Sequence, residues 1–64
     1  MDRYRITCQN KNGAPLEELI SAVDDQNAIR KYNHVRKDNP DFWDWRLWKL
    51  NLPWKSVLIA ANEG

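Results

Sequence analysis

From Arg3 to Gln9 apolar and polar side chains alternate, with Tyr4, Ile6 and Cys8 on one parity and Arg3, Arg5, Thr7 and Gln9 on the other. A period of two marks a strand with one face buried, so a strand is predicted over 3–9. Asn10-Lys11-Asn12-Gly13 follows, and its Asn-Gly pair predicts a tight hairpin turn with positive φ angles. The next segment admits two patterns. Leu16, Leu19, Ile20 and Val23 are spaced as on a helix behind Pro15, Glu17 and Glu18, while Ile20 and Ala22 alternate with Ser21 and Val23 as in a strand. The turn before it and a fresh helix start after it leave little room for a separate helix, so 16–23 is read as a strand, with a short helix as the competing reading. Asp24 is an N-cap residue and Asp25 suits the positive end of a helix dipole. A helix is predicted over 24–38, with Ala28, Ile29, Tyr32 and Val35 as its apolar stripe and Arg30, Lys31, His34 and Lys37 as a basic face, stopped by Asn39-Pro40.

All four tryptophans fall in the stretch from Asp41 to Trp54, interleaved with charges of both signs. Read as a strand over 42–52, this segment turns Trp43, Trp45 and Leu47 to one side and Phe42, Trp48, Leu50 and Leu52 to the other. Both sides are then apolar, and a chain with one helix can cover only one of them. The second calls for the tail, a copy of the chain or a partner as its cover. Pro53 breaks the strand. Residues 55–61 form a second apolar run, either a fourth, edge strand or that cover, and 62–64 are expected to fray. The fold class predicted is α+β: one small domain over 1–64, an antiparallel sheet of three or four strands (β-β-α-β, with or without a fourth C-terminal strand) and one helix packed on one face.

A chain of 64 residues is near the lower limit for an unaided core. One cysteine allows no internal disulfide, and one His with one Cys makes no structural zinc site, so no metal or cofactor is expected. Ten basic against nine acidic residues leave a charge of +1, too little for a strong non-specific hold on DNA or an anionic membrane. No basic-then-apolar leader, long apolar span or Asn-x-Ser/Thr acceptor appears, which makes the cytoplasm the expected address and gives no membrane partner.

Enzyme chemistry is hard to assemble from these residues. His34 lies on a polar helix face four residues before Asp38, and Cys8 alternates with core positions, so the chain is expected not to be an enzyme. Nucleic-acid binding has more support, because cations among planar rings suit a single-strand stacking platform. Arg3, Arg5, Arg46, Lys49 and Lys55 accompany the aromatic residues, and Arg30, Lys31, Lys37 and Lys49 are candidate nucleic-acid contacts, but Asp41 and Asp44 sit inside the Trp segment and would repel a backbone. Protein binding uses the same side chains with fewer objections, since interface hot spots are rich in Trp, Tyr and Arg. The candidate partner-binding residues are Trp43, Trp45, Arg46 and Trp48, with Tyr4 and Arg5 on a neighbouring strand.

The order strand, hairpin, strand, helix, strand, with the join Ile20-Ser21-Ala22-Val23-Asp24-Asp25-Gln26-Asn27-Ala28-Ile29-Arg30-Lys31-Tyr32, resembles small bacteriophage-encoded host-inhibitor proteins such as the T7-phage inhibitor of bacterial RNA polymerase. The likeness covers roughly residues 3 to 52 and is one of layout, so no binding residue carries over. It implies a phage or prophage protein that attaches stoichiometrically to a host protein and inhibits or modulates it. The alternatives are a nucleic-acid binder using Trp stacking and a homodimer that buries its Trp surface against itself.

Overall fold

The computed structural model describes residues 1–52 and 55–62. Its elements are β1 (Asp2–Gln9), β2 (Pro15–Ala22), α1 (Asp25–Asp38), β3 (Trp43–Leu52) and β4 (Lys55–Asn62). The strands form one antiparallel sheet in the order β2-β1-β3-β4. Because β2 and β3 each run antiparallel to β1, they are parallel to one another, and α1 is the crossover that a parallel pair requires. The helix lies on one face only. The shortest extent of the molecule, 15 Å, is that of one sheet layer and one helix layer.

Local chemistry explains the boundaries. Asp24, extended at φ −157°, accepts the Asn27 amide on its side chain at 2.8 Å and begins α1, with Asp25 in the first turn and Arg36 and Lys37 in the last matching the helix dipole. Asn39 closes it, its side-chain amide donating to the Val35 carbonyl at 2.8 Å, ahead of Pro40. The ambiguous segment is a strand: Pro15 to Ala22 pairs residue for residue with β1, from Gln9↔Pro15 to Asp2↔Ala22. The hairpin between them is wider than the Asn-Gly pair predicts. Gly13 alone takes a positive φ, +83°, and the Asn10 side chain accepts the amides of Asn12 and Ala14, which stabilises a five-residue loop over a two-residue turn.

The core is Tyr4, Ile6 and Cys8 of β1, Ala22 of β2, Trp45 and Leu47 of β3, and Ala28 and Tyr32 of α1. Trp45 is its largest member. It meets Tyr32 edge-on, stacks on Phe42, and donates its indole N–H to the Phe42 carbonyl at 3.0 Å. Clustering these three rings, Trp45 and Tyr32 buried and Phe42 partly so, compensates for the absence of a disulfide in so small a chain.

In β3 and β4 two expectations are corrected, the even alternation and the frayed Asn62, and the choice left open for 55–61 is decided in favour of the edge strand. The even alternation read over 42–52 fails at its start, because a bulge between the Thr7 and Gln9 pairings holds Asp44 at φ +57° and sets Trp43 opposite Gln9. Trp43 is thereby turned to the helix-free face and Phe42 to the core side, the reverse of the simple parity. Residues 55–62 are a fourth strand at the sheet edge and therefore lie in the sheet plane, where they cannot cover its second face. Asn62 does not fray: it ends β4 and accepts the Tyr32 hydroxyl at 2.8 Å. The strand break assigned to Pro53, the last tryptophan, Trp54, and the remaining tail residues 63–64 lie outside the described residues.

Candidate functional site: the open face of the sheet

Strand register sorts the side chains into two faces. On the face away from α1 stand Arg3, Arg5, Thr7 and Gln9 from β1, Glu17 and Leu19 from β2, Trp43, Arg46, Trp48 and Leu50 from β3, and Leu58 from β4. Nothing among the described residues covers this face. Leu19 is 64% exposed, Leu58 48% and Trp43 42%. So much accessible apolar surface on one side of a small domain is characteristic of an interaction surface.

The two open-face tryptophans are held in place by their own N–H groups. The Trp48 indole donates to the Thr7 hydroxyl at 3.0 Å, and that of Trp43 to the Asn10 carbonyl at 2.8 Å, so both rings reach from β3 over β1 and its hairpin. With the polar edge of each ring satisfied inside the chain, the π face is what remains to offer a partner. Arg46 stands between them on β3, 3.3 Å from Asp44, and Asp44 also accepts Gln9 at 2.9 Å. Arg5 lies 3.7 Å from Glu17. A shallow depression of about 360 Å³ bordered by Thr7, Gln9, Glu17, Asp44 and Arg46 runs along the β1–β2 side of this face.

The structure divides the sequence-derived candidates. Trp43, Arg46, Trp48 and Arg5 share the open face. Tyr4 and Trp45 do not: at 0% and 3% exposure both are core, because they point to the helix side of their strands. Neither can touch a partner. Arg30 and Lys37 are exposed on the outer side of α1, at the opposite surface of the molecule from the tryptophans, and Lys31, also exposed, reaches from the flank of the helix to the Ser21 carbonyl of β2 at 2.6 Å. Lys49 is on the helix side too, 3.2 Å from Asp25, 3.6 Å from Asp2 and over the Tyr4 ring at 6.0 Å. The proposed nucleic-acid set and the tryptophans therefore do not form one surface. Leu19 and Leu58 belong to the open face, and the sequence pattern does not single them out, since Leu19 fits the helical spacing of its segment and Leu58 sits in an apolar run without parity. The outward position of Ser21, two residues from Leu19, carried that signal.

Titration follows burial and pairing. The Tyr4 hydroxyl, buried and donating to the Asp25 carboxylate at 2.6 Å, is held well above the ordinary tyrosine value, first by burial and then by that hydrogen bond. The same bond, with the help of Lys49, holds Asp25 below the usual carboxylate range, and Lys49 is raised by its bond to Asp25. Burial pushes the Cys8 thiol up, with a smaller push from Glu18, so it stays protonated at neutral pH. Among the described residues no group of three or more His, Cys, Asp or Glu side chains is placed to hold a metal ion, and no helix is long and apolar enough to cross a membrane. Neither a family model, a curated protein nor a solved structure matches the chain.

Proposed function

We propose that the chain is a non-catalytic protein-binding module whose contact surface is the open sheet face, with Trp43 and Trp48 as anchors and Arg5 and Arg46 setting orientation. The observation that carries this reading is the pair of open-face indoles, Trp43 exposed and Trp48 half-buried, whose N–H groups are already satisfied within the chain. Such rings lose little freedom on binding and contribute apolar area, as interface hot spots do. Charge favours a protein over a nucleic acid. Arg5 and Arg46 are already paired with Glu17 and Asp44, so phosphates would have to displace carboxylates, and the basic side chains of α1 are on the wrong side to help. The resemblance to phage-encoded inhibitors supports a host protein as the partner, met in the host cytoplasm and modulated by occlusion of its working surface.

The test is affinity capture from bacterial lysate on the tagged chain and on Trp43→Ala and Trp48→Ala variants, with and without nuclease. Folded variants should lose the captured protein by about thirtyfold in affinity, the equivalent of a ~2 kcal/mol hot spot, and nuclease should change nothing. Recovery that vanishes with nuclease or modest salt would put stacking on single-stranded nucleic acid in its place.

A further inference from the structure

The two edges of the sheet are built differently. β2 begins at Pro15, carries Glu17 and Glu18, and has its Ser21 carbonyl occupied by Lys31 Nζ at 2.6 Å, all of which discourage another strand from adding. β4 has no proline or acidic side chain and no side chain on an edge carbonyl among the described residues; its guards are Lys55 at its start and one bulge at Ile59, between the Leu58 and Ala60 pairings with β3. After Lys55 it runs Ser56-Val57-Leu58-Ile59-Ala60-Ala61-Asn62 without a charge, it is eight residues long, and Val57 and Leu58 are 39% and 48% exposed. As the last strand in the order β2-β1-β3-β4, it presents one row of backbone N–H and C=O groups with no partner among the described residues.

We infer that β4 pairs antiparallel with β4 of a second copy, joining two sheets into one of eight strands. The match is between the strand and itself. In full-length antiparallel register Lys55 of each copy lies beside Asn62 of the other, and the two lysines are seven residues apart, roughly 24 Å at ~3.4 Å per residue, well beyond the ~8 Å screening length in physiological salt. A parallel arrangement would set the two Lys55 charges side by side and would not close by a two-fold axis. With the axis normal to the sheet, both helices fall on one side, and the two open faces become one continuous surface with two sets of Trp43 and Trp48. A net charge of +1 per chain opposes this little. The contact is narrow, so the dimer is expected to dissociate in the micromolar range. This pairing stands whether or not the open face binds a protein.

Sedimentation velocity from about 1 µM to about 500 µM should show the mass rising from 7.6 kDa to twice that value, with β4 amides gaining hydrogen-exchange protection over the same range. Position 58 lies next to the two-fold axis. Leu58→Lys should therefore weaken the dimer more than tenfold, Leu58→Glu likewise, and an equimolar mixture of the two should restore it. Leu19→Lys, on the other edge strand, should leave it intact. A parent chain that stays monomeric throughout, a Leu58→Lys variant that dimerises like the parent, or a mixture that remains monomeric overturns the inference. So does concentration-dependent protection that appears on β2 instead of β4, which reads on the parent chain alone.

Discussion

The indole of Trp45 lies 6.3 Å from the Tyr32 ring and 6.3 Å from that of Phe42, with only 3% of its surface exposed, whereas Trp43, two positions earlier, is 42% exposed. Truncating a buried Trp to Ala costs about 3–5 kcal/mol, while a domain of this size is stable by only about 3–10 kcal/mol, at ~0.05–0.15 kcal/mol per residue. Trp45→Ala should consequently remove most or all of the cooperative urea transition. Trp43→Ala should stay within about 1 kcal/mol of the parent, in keeping with an exposed substitution. Both are read from far-UV circular dichroism against urea. A Trp45→Ala midpoint close to the parent's would mean that the three-ring cluster is not what holds the helix on the sheet.

At the scale of the elements, the bulge at Asp44 decides which tryptophan faces where. A left-handed φ of +57° is tolerated by Asp and natural for Gly, and it is costly for a β-branched residue. Asp44→Gly should lie within about 0.5 kcal/mol of the parent, because relief of the backbone offsets the loss of the contacts to Gln9 and Arg46. Asp44→Val should lose about 1–2 kcal/mol. Chemical-denaturation midpoints of the two variants check this, and equal losses would show that the side-chain contacts, rather than the backbone, fix the bulge. The bulge also marks how far the strand pattern could be read. β1 was legible because Tyr4, Ile6 and Cys8 differ so sharply from Arg5, Thr7 and Gln9, and α1 because Asp24 caps a clear stripe. In the Trp segment either parity is apolar, so an extra residue leaves no break in the pattern, and Trp43 was grouped with the buried Trp45. The one available sign was an αL-tolerant Asp between two tryptophans. Tyr4 was misassigned for a related reason: its hydroxyl makes it look like a surface hot spot, while a partner 21 residues away, Asp25, satisfies that hydroxyl at the edge of the core.

For the whole molecule, the weak joint is between its two layers. Ala28 and Tyr32 of α1 are fully buried and Ile29 and Val35 pack against the same core, and polar tethers add to that attachment. At the start of the helix, Asp25 accepts Tyr4 of β1 and pairs with Lys49 of β3, which also meets Asp2, so a single carboxylate links the helix to both central strands. Its folded-state pKa is depressed, first by the Tyr4 hydrogen bond and then by Lys49, so the stability it contributes is fully present above the unfolded value and is lost as pH falls through the folded one. Lys49 is shifted the other way, up, and its share is present below the ordinary lysine value and lost as pH rises through its folded pKa. The tether is thus complete across the neutral range and fails first at the acid end. Asp25→Asn removes the charge at every pH. The stability gap between parent and Asp25→Asn should therefore be constant from about pH 5 to about pH 9 and close as pH drops from about 4. Thermal midpoints measured across that range read the gap directly. A gap that stayed constant down to pH 2 would mean that Asp25 does not titrate against the sheet, and that packing of Ala28 and Tyr32 alone keeps the helix over the core and the opposite face of the sheet free.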